Sequence, residues 1–409
     1  MGMQAKSSQL GLTFQMQKKS QPIFKKKIQQ HHLWYPKNKI PSGDKTTSII
    51  RRGYHYFFEL FTERNLLALA YLYKEISKVK DIREKQFLYF AFSASLKWAS
   101  KQCHLRGDVV EGWAMHAYWI YPKHLEINVW KTFVKRIQAV VRGKKYLERI
   151  EFNAHEAQSF EELVRHCDYL ILNQSADNLD IPAKSVDCII TDPPYGGNVN
   201  YAELSDFWTI WNPTIRSIVN KKNEAVINKT QSKDLARYEE LLAGVFSECQ
   251  RVLKPHGALV ATFNSIDLII VSAFLKAVAL GGFELVKDGL HYQEPIKAYT
   301  TTVHAKEVGA FTGDFIFTFK KSKRAVLTKL SKHHTWQQTI DRTITRHAKH
   351  SRTEIEFRRG VYEQLIPLLA DWVYTSNGQM NTIARYAEQQ MRKQEFQALE
   401  FHEARSIAR

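Results

Sequence analysis

From Ser185 to Lys321 the chain alternates two kinds of apolar run, and this alternation limits the possible folds more than any other feature of the sequence. The short runs "SVDCIITDPP", "ALVATFN", "FELVKDGLHYQ" and "GDFIFTFKK" read as strands, rich in β-branched and aromatic residues and bounded by Gly, Pro, Asp or Asn. Between them, "YEELLAGVFSECQRVLKPHG" sets Leu241, Leu242, Val245, Val252 and Leu253 on one helical face, with Pro255 and Gly257 as its stop. "DLIIVSAFLKAVALGG" is a second helix, closed by Gly281 and Gly282. Strand and helix in alternation with short glycine-marked joins predict a doubly wound α/β sheet. "SVDCIITDPP" has the character of a buried parallel strand ending at a functional loop, and the last two strands that of an antiparallel edge hairpin.

The flanks read differently. Residues 1–33 are polar and basic without period and are expected to form a disordered arm; they lack the apolar stretch of a secretory signal. Residues 34–150 are expected to be mainly helical. Thr62 stands as N-cap before "ERNLLALAYLYKEISKV", followed by "REKQFLYFAFSASLKWASK" and by "INVWKTFVKRIQAVVRGKK" with Gly143 as its stop. Residues 151–322 form the α/β core, and 323–409 a basic helical region. There Leu365, Leu368, Leu369 and Trp372 share an apolar face, which suits either a target-recognition or partner-docking helix set or plain core packing. Cys103, Cys167, Cys188 and Cys249 lie far apart with no CxxC pair, so neither a disulfide framework nor a zinc ribbon is indicated, no metal site is expected, and a reduced, cytoplasmic compartment fits best. No apolar run approaches 18 residues, so no membrane span is expected.

The formal charge of +18 is uneven. Residues 1–60 carry 11 Lys and Arg against 2 acids and residues 320–409 carry 17 against 9, while the stretch between is close to neutral. Basic ends beside a neutral body suit a phosphate-backbone partner, DNA above all, through counterion release. A solvated tail is the plainer alternative for "KKSQPIFKKK".

Asp192-Pro193-Pro194-Tyr195 closes the first strand with residue types suited to one chemistry. The amino group of adenine or cytosine is a poor nucleophile because its lone pair is delocalised into the ring. A carboxylate and a backbone carbonyl accepting its two N–H bonds draw the nitrogen toward tetrahedral geometry. Asp192 supplies the first acceptor and the Pro193 carbonyl the second, held stiffly because φ is fixed at both prolines. Tyr195 offers a π-face for an extruded base.

These four residues resemble motif IV, the DPPY signature of amino-type nucleic-acid methyltransferases that use S-adenosylmethionine. The longer run "DPPYGGNVNYAELSDFW" is similar to the pattern of a bacterial family of large, cysteine-insert-bearing adenine-specific DNA methylases. The similarity extends through "LFTERNLLALAYLYKEI", "EINVWKTFVKRIQAVVRGKK", "RVLKPHGALVATF" and "GDFIFTFKK", over residues 34–322. The resemblance implies a Rossmann-like S-adenosylmethionine-dependent sheet and a DNA adenine-N6 transfer, with cytosine-N4 as the alternative. It implies substrate contacts for Tyr201, Glu203, Ser205 and Asp206, which could instead cap and orient a helix beginning near Glu203. It implies cofactor contacts for Asp177, which could equally make a loop Asx-turn, and for Thr62, Arg64 and Asn65.

The sequence departs from the family at the glycine-rich turn expected to hold the methionine part of the cofactor. None of the 18 glycines is separated from another by one residue. In the family that turn lies N-terminal to the matching region, so the chain resembles the C-terminal portion of such a methylase, with the first strand and glycine turn missing from its sheet. Two classes of function compete: a catalytic subunit completed by a second protein chain that supplies the glycine-rich motif, and a catalytically inactive DNA-binding pseudoenzyme or truncated gene product.

Overall fold

A computed structural model describes residues 24–106, 108–113, 117–150, 153–212, 221–294, 311, 313–326, 336–376 and 379–407. It is a mixed α/β structure with small sheets and many helices. The chain divides into two compact units, Met1–Asn153 with Asn200–Lys222, and Ala154–Val199 with Asn223–Arg409.

In the first unit, residues 24–30 form a helix, α1, where the sequence suggests an unstructured arm; the rest of that arm, residues 1–23, lies outside the described residues. After α2 (Thr47–Arg51) comes α3 (Glu63–Ser77), started by the Thr62 hydroxyl, which accepts the Asn65 N–H at 3.2 Å. α4 (Ile82–Ala99) follows, and then a short antiparallel hairpin of β1 (His104–Arg106) and β2 (Val109–Glu111) that helical periodicity does not anticipate. α5 (Val129–Arg149) runs straight through Gly143, so the glycine is not a stop. The space beside Gly143 is open, and the helix-forming Lys, Leu, Glu and Arg around it offset a cost of about 1 kcal/mol.

The first unit's core is aromatic. Phe61 stacks on Phe207 at 5.5 Å, and Trp211 meets Phe92 edge-on at 5.3 Å. Phe207 comes from α7 (Tyr201–Thr209) and Trp211 from the turn after it.

In the second unit, β3 (Glu156–Ala157) and β4 (Tyr169–Leu170) flank α6 (Phe160–His166) as a two-stranded parallel pair. The main sheet has four strands in the order β5-β6-β8-β7: β5 (Val186–Thr191), β6 (Leu253–Phe263), β8 (Asp314–Lys321) and β7 (Phe283–Gln293). Only β5 and β6 run parallel; β6–β8 and β8–β7 are antiparallel. The expected edge hairpin of β7 and β8 is present, and the sheet is mixed, with its parallel pair at β5 and β6. β5 is its other edge and is not buried, since Cys188 is exposed and Ile190 is 79% exposed. An apolar run marks a strand without saying how many neighbours it has.

α8 (Leu235–Val252) ends three residues before Pro255, because Leu253 already pairs with Val186. α9 (Leu268–Leu280), capped by Asp267, is buried along most of its length; Phe274 stacks on Phe263 of β6 at 4.3 Å and 11°. After α10 (Trp336–His350), α11 (Glu354–Thr375) and α12 (Met380–Ile407) close the same core. Leu365, Leu369 and Trp372 are buried in it, and Leu368 packs against it. Core packing therefore accounts for the apolar face of this region.

Leu369→Ala should lower the unfolding free energy by about 2–5 kcal/mol, as large-to-small changes in packed cores do. Chemical denaturation followed by circular dichroism measures it, and a loss well under 1 kcal/mol would return this face to the surface.

Candidate active site

The Asp192 loop is built by three segments of the second unit. The parallel pairing of β5 and β6 sets Thr191 opposite Ala261, which brings Thr262 level with Asp192. The Thr262 hydroxyl donates to Asp192 Oδ1 at 2.8 Å, and the Tyr195 hydroxyl donates to the same oxygen at 2.5 Å. Oδ1 is thus doubly occupied, while Oδ2 has no hydrogen-bond partner among the described residues. Asp192 is exposed. Burial, and after it the adjacent Asp192 carboxylate, push the Tyr195 hydroxyl far above its ordinary pKa, so it remains a protonated donor. The ring of Tyr195 meets Phe263 edge-on at 5.0 Å.

The two prolines are held from the other side by α8. The Tyr238 hydroxyl donates to the Pro194 carbonyl at 2.6 Å and accepts the Gly196 N–H at 3.3 Å. Burial raises the Tyr238 pKa too, which keeps that donor in place. Pro194 C=O also receives the Gly196 N–H at 3.1 Å, whereas Pro193 C=O has no partner among the described residues. Gly196 is in the left-handed region at φ 64°, and a Cβ there would lie 3.1 Å from Ile270. A Cβ on Gly197 would sit 2.9 Å from the Ile227 carbonyl, so the pair allows the chain to turn tightly under the loop.

Asp192 to Tyr195 therefore carries two acceptors without a hydrogen-bond partner among the described residues, Oδ2 of the exposed Asp192 and the carbonyl of the buried Pro193. An amino group with two N–H bonds is the complementary donor. Thr262 and Tyr238 escape the sequence reading, because the register of β6 against β5 and the placement of α8 are set by contacts between distant segments.

The remaining candidates are distributed otherwise. Tyr201, Glu203, Ser205 and Asp206 fall in α7, in the first unit, and Asp192 to Tyr195 in the second. Glu203 and Asp206 are buried, at 5% and 4% exposure. Glu203 accepts the backbone N–H of Lys45 at 2.9 Å, and Asp206 pairs with Lys221 Nζ at 2.5 Å. The Ser205 hydroxyl donates to Ala202 C=O of its own helix. Tyr118 donates to backbone carbonyls of Glu203 and Leu204 and accepts from Phe207 N–H. These contacts fix α7, and Tyr201 alone of the four is largely exposed.

The first-unit cofactor candidates are likewise engaged. Thr62 Oγ1 donates to Glu126 at 2.5 Å, and Arg64 forms a two-point pair with the same carboxylate at 2.5 and 3.0 Å. Burial opposes ionisation of Glu126, yet the bonds from Arg64 and Thr62 hold its carboxyl below the usual range. Asn65 is buried, its amide donating to Ala99 and Ile127 carbonyls. Asp177 is exposed beside Gly244 of α8. These residues do not fit S-adenosylmethionine as a set: three are committed to internal contacts, and no glycine-rich turn stands beside them among the described residues. Among the described residues there is no group of His, Cys, Asp and Glu arranged for a metal, and no helix long and apolar enough to cross a membrane.

No family model and no curated protein matches the chain. Among solved structures it is similar to a protein of Thermus thermophilus proposed to be a DNA modification methylase, with 15% identity and a TM-score of 0.21. The likeness covers 41% of this chain and 57% of that one, and at that score it is too slight to assign a fold.

Tyr238→Phe should cost about 0.5–1.5 kcal/mol of stability for each hydrogen bond lost at the loop. Urea unfolding of the variant checks this; unchanged stability would mean that the prolines are held by their own rigidity.

Proposed function

We propose that this chain is the catalytic part of a DNA amino-methyltransferase acting on adenine N6, with Asp192 and the Pro193 carbonyl receiving the two N–H bonds of the target amine. The observation that carries the reading is the pair of unpartnered acceptors at the C-terminal end of a strand, Oδ2 and the Pro193 carbonyl, next to an aromatic residue. Ligands of open α/β sheets collect at such strand ends. Accepting both N–H bonds localises the lone pair on nitrogen and stabilises positive charge as it develops there. Thr262 and Tyr195 fix the carboxylate so that Oδ2 points the same way throughout, while Tyr238 sets the peptide that carries the prolines. Adenine is preferred to cytosine on the similarity of "DPPYGGNVNYAELSDFW" to adenine-specific methylases.

The methyl group is taken to come from S-adenosylmethionine, which supplies an electrophilic carbon when bound. Since Thr62, Arg64, Asn65 and Asp177 do not fit that cofactor as a set, a second polypeptide carrying a glycine-rich turn is proposed to hold it. The free edge of β5, with Ile190 exposed, is where an added strand would continue the sheet. The alternative, a DNA-binding pseudoenzyme, draws on the same engaged Thr62, Arg64 and Asn65, and it differs in giving no transfer with any partner.

Transfer of labelled methyl groups to DNA, with and without the product of an adjacent gene, tests the proposal. Asp192→Ala should lower turnover of the competent assembly by about 10²–10³-fold while leaving folding and DNA binding in place. Turnover within a few-fold of the parent would remove Asp192 from the centre. Calorimetry on the isolated chain should detect no micromolar binding of S-adenosylmethionine, and tight binding would show that the cofactor site lies wholly within this polypeptide.

A further inference from the structure

Residues 61–319 are nearly neutral in sum, yet α5 within them carries seven Lys and Arg against one Glu. Their placement is ordered. Lys131, Lys135, Gln138, Arg142, Lys145 and Arg149 follow one another at steps of four, three, four, three and four residues. At 3.6 residues per turn such steps stay within an arc of about 80°. All six side chains are exposed. The stripe runs about 27 Å along the helix at 1.5 Å per residue. It contains no acid and no apolar residue, and none of its five cations joins an ion pair among the described residues.

The opposite side of α5 is used for packing. Val129, Thr132 and Phe133 are buried, and Ile137 packs against the first unit's core. Val140 and Leu147 face Phe87 and Phe90 of α4 across a groove. The N-terminal half of the helix is thus anchored by its apolar side, and the helix turns outward a row of five cations, none in an ion pair among the described residues, with Gln138 between them. A membrane-surface helix would need its whole apolar side free for the lipid, and here Val129, Phe133 and Ile137 of that side are taken up by the first unit's core. A row of point charges about 27 Å long suits a regular polyanion, and duplex DNA offers one phosphate per 3.4 Å along each strand.

We propose that the Lys131–Arg149 face of α5 lies along the phosphate backbone of the nucleic acid this chain acts on, supplying affinity that does not depend on base sequence. The choice of DNA as the polymer rests on the function proposed above; the contact itself rests on the stripe. Gln138, in mid-row, adds a neutral hydrogen-bonding group for a phosphate or sugar oxygen.

The test is fluorescence anisotropy of the full-length chain with a labelled DNA duplex over a range of salt concentrations. The triple variant Lys135→Gln/Arg142→Gln/Lys145→Gln removes three charges and keeps good helix formers, so circular dichroism should be unaltered. The slope of log affinity against log salt should become shallower by about 2.7, at 0.9 per phosphate contact, with affinity falling tenfold or more at low salt. The pair Arg83→Gln/Lys144→Gln, which lines the groove side, should leave both nearly unchanged. The proposal is overturned by an unchanged slope in the triple variant, by equal losses in triple and pair, or by loss of binding to anionic phospholipid vesicles with DNA affinity intact. Asp192→Ala separates the two readings: it should bind DNA like the parent, and a failure of methyl transfer with a shifted slope in the triple variant would sink the enzyme assignment and leave the stripe standing.

Discussion

The parallel pairing of Val186–Thr191 with Leu253–Phe263 is the interaction on which the Asp192 loop depends. Parallel register sets Ala261 beside Thr191 at the end of β5, and so brings the next residue, Thr262, level with Asp192. A hydrogen bond from a hydroxyl to a charged carboxylate is worth about 1.5–3 kcal/mol, enough to hold one carboxylate orientation strongly over others. With Thr262 and Tyr195 both on Oδ1, the second oxygen is left in a defined place without further support. Tyr238 does for the proline peptide what Thr262 does for the carboxylate, and it comes from α8, the helix that leads into β6. One chain segment, Leu235–Phe263, thus supplies both constraints.

Much of the second unit was legible because its strands and helices declare themselves by period. The runs at "SVDCIITDPP", "ALVATFN", "FELVKDGLHYQ" and "GDFIFTFKK" are strands, and Asp267 and Gly281 lie at helix ends. Neighbour relations were not legible. The apolar character of Cys188 and Ile190 suggested burial, but it reports only that a surface is apolar, not that the chain covers it. Gly143 and Pro255 misled for a related reason: a breaker raises the local cost of an element, and contacts elsewhere decide whether that cost is met. In the candidate site, Asp192 to Tyr195 could be read from chemistry alone. The burial of Glu203 and Asp206 against Lys45 and Lys221 could not, since it depends on segments distant in sequence.

Charge shows the same limit more sharply. Arg358 and Arg359 belong to the basic C-terminal region, yet Arg358 pairs with Glu354, and Arg359 with Glu363 and Glu294. Reversing them would break ion pairs before it removed any available cation. The unpaired cations of α5 sit instead in a stretch whose total is close to zero. Totals over windows mix charges on different faces, and only periodicity separates them. The 4-3-4-3-4 spacing was present in the sequence all along, masked by an apolar pattern on the other face that already explained the helix.

The chain passes from the second unit to the first between Val199 and Asn200 and returns between Lys222 and Asn223. The motif-like run that begins at Asp192 is consequently divided, its loop in one unit and its helix in the other. No single cut in the gene separates the two units. A fragment ending before Asn200 leaves the first unit without Phe207 and Trp211 and the second without β6, β7 and β8. A single crossover within the gene therefore interrupts both units, and truncation variants report on the two together.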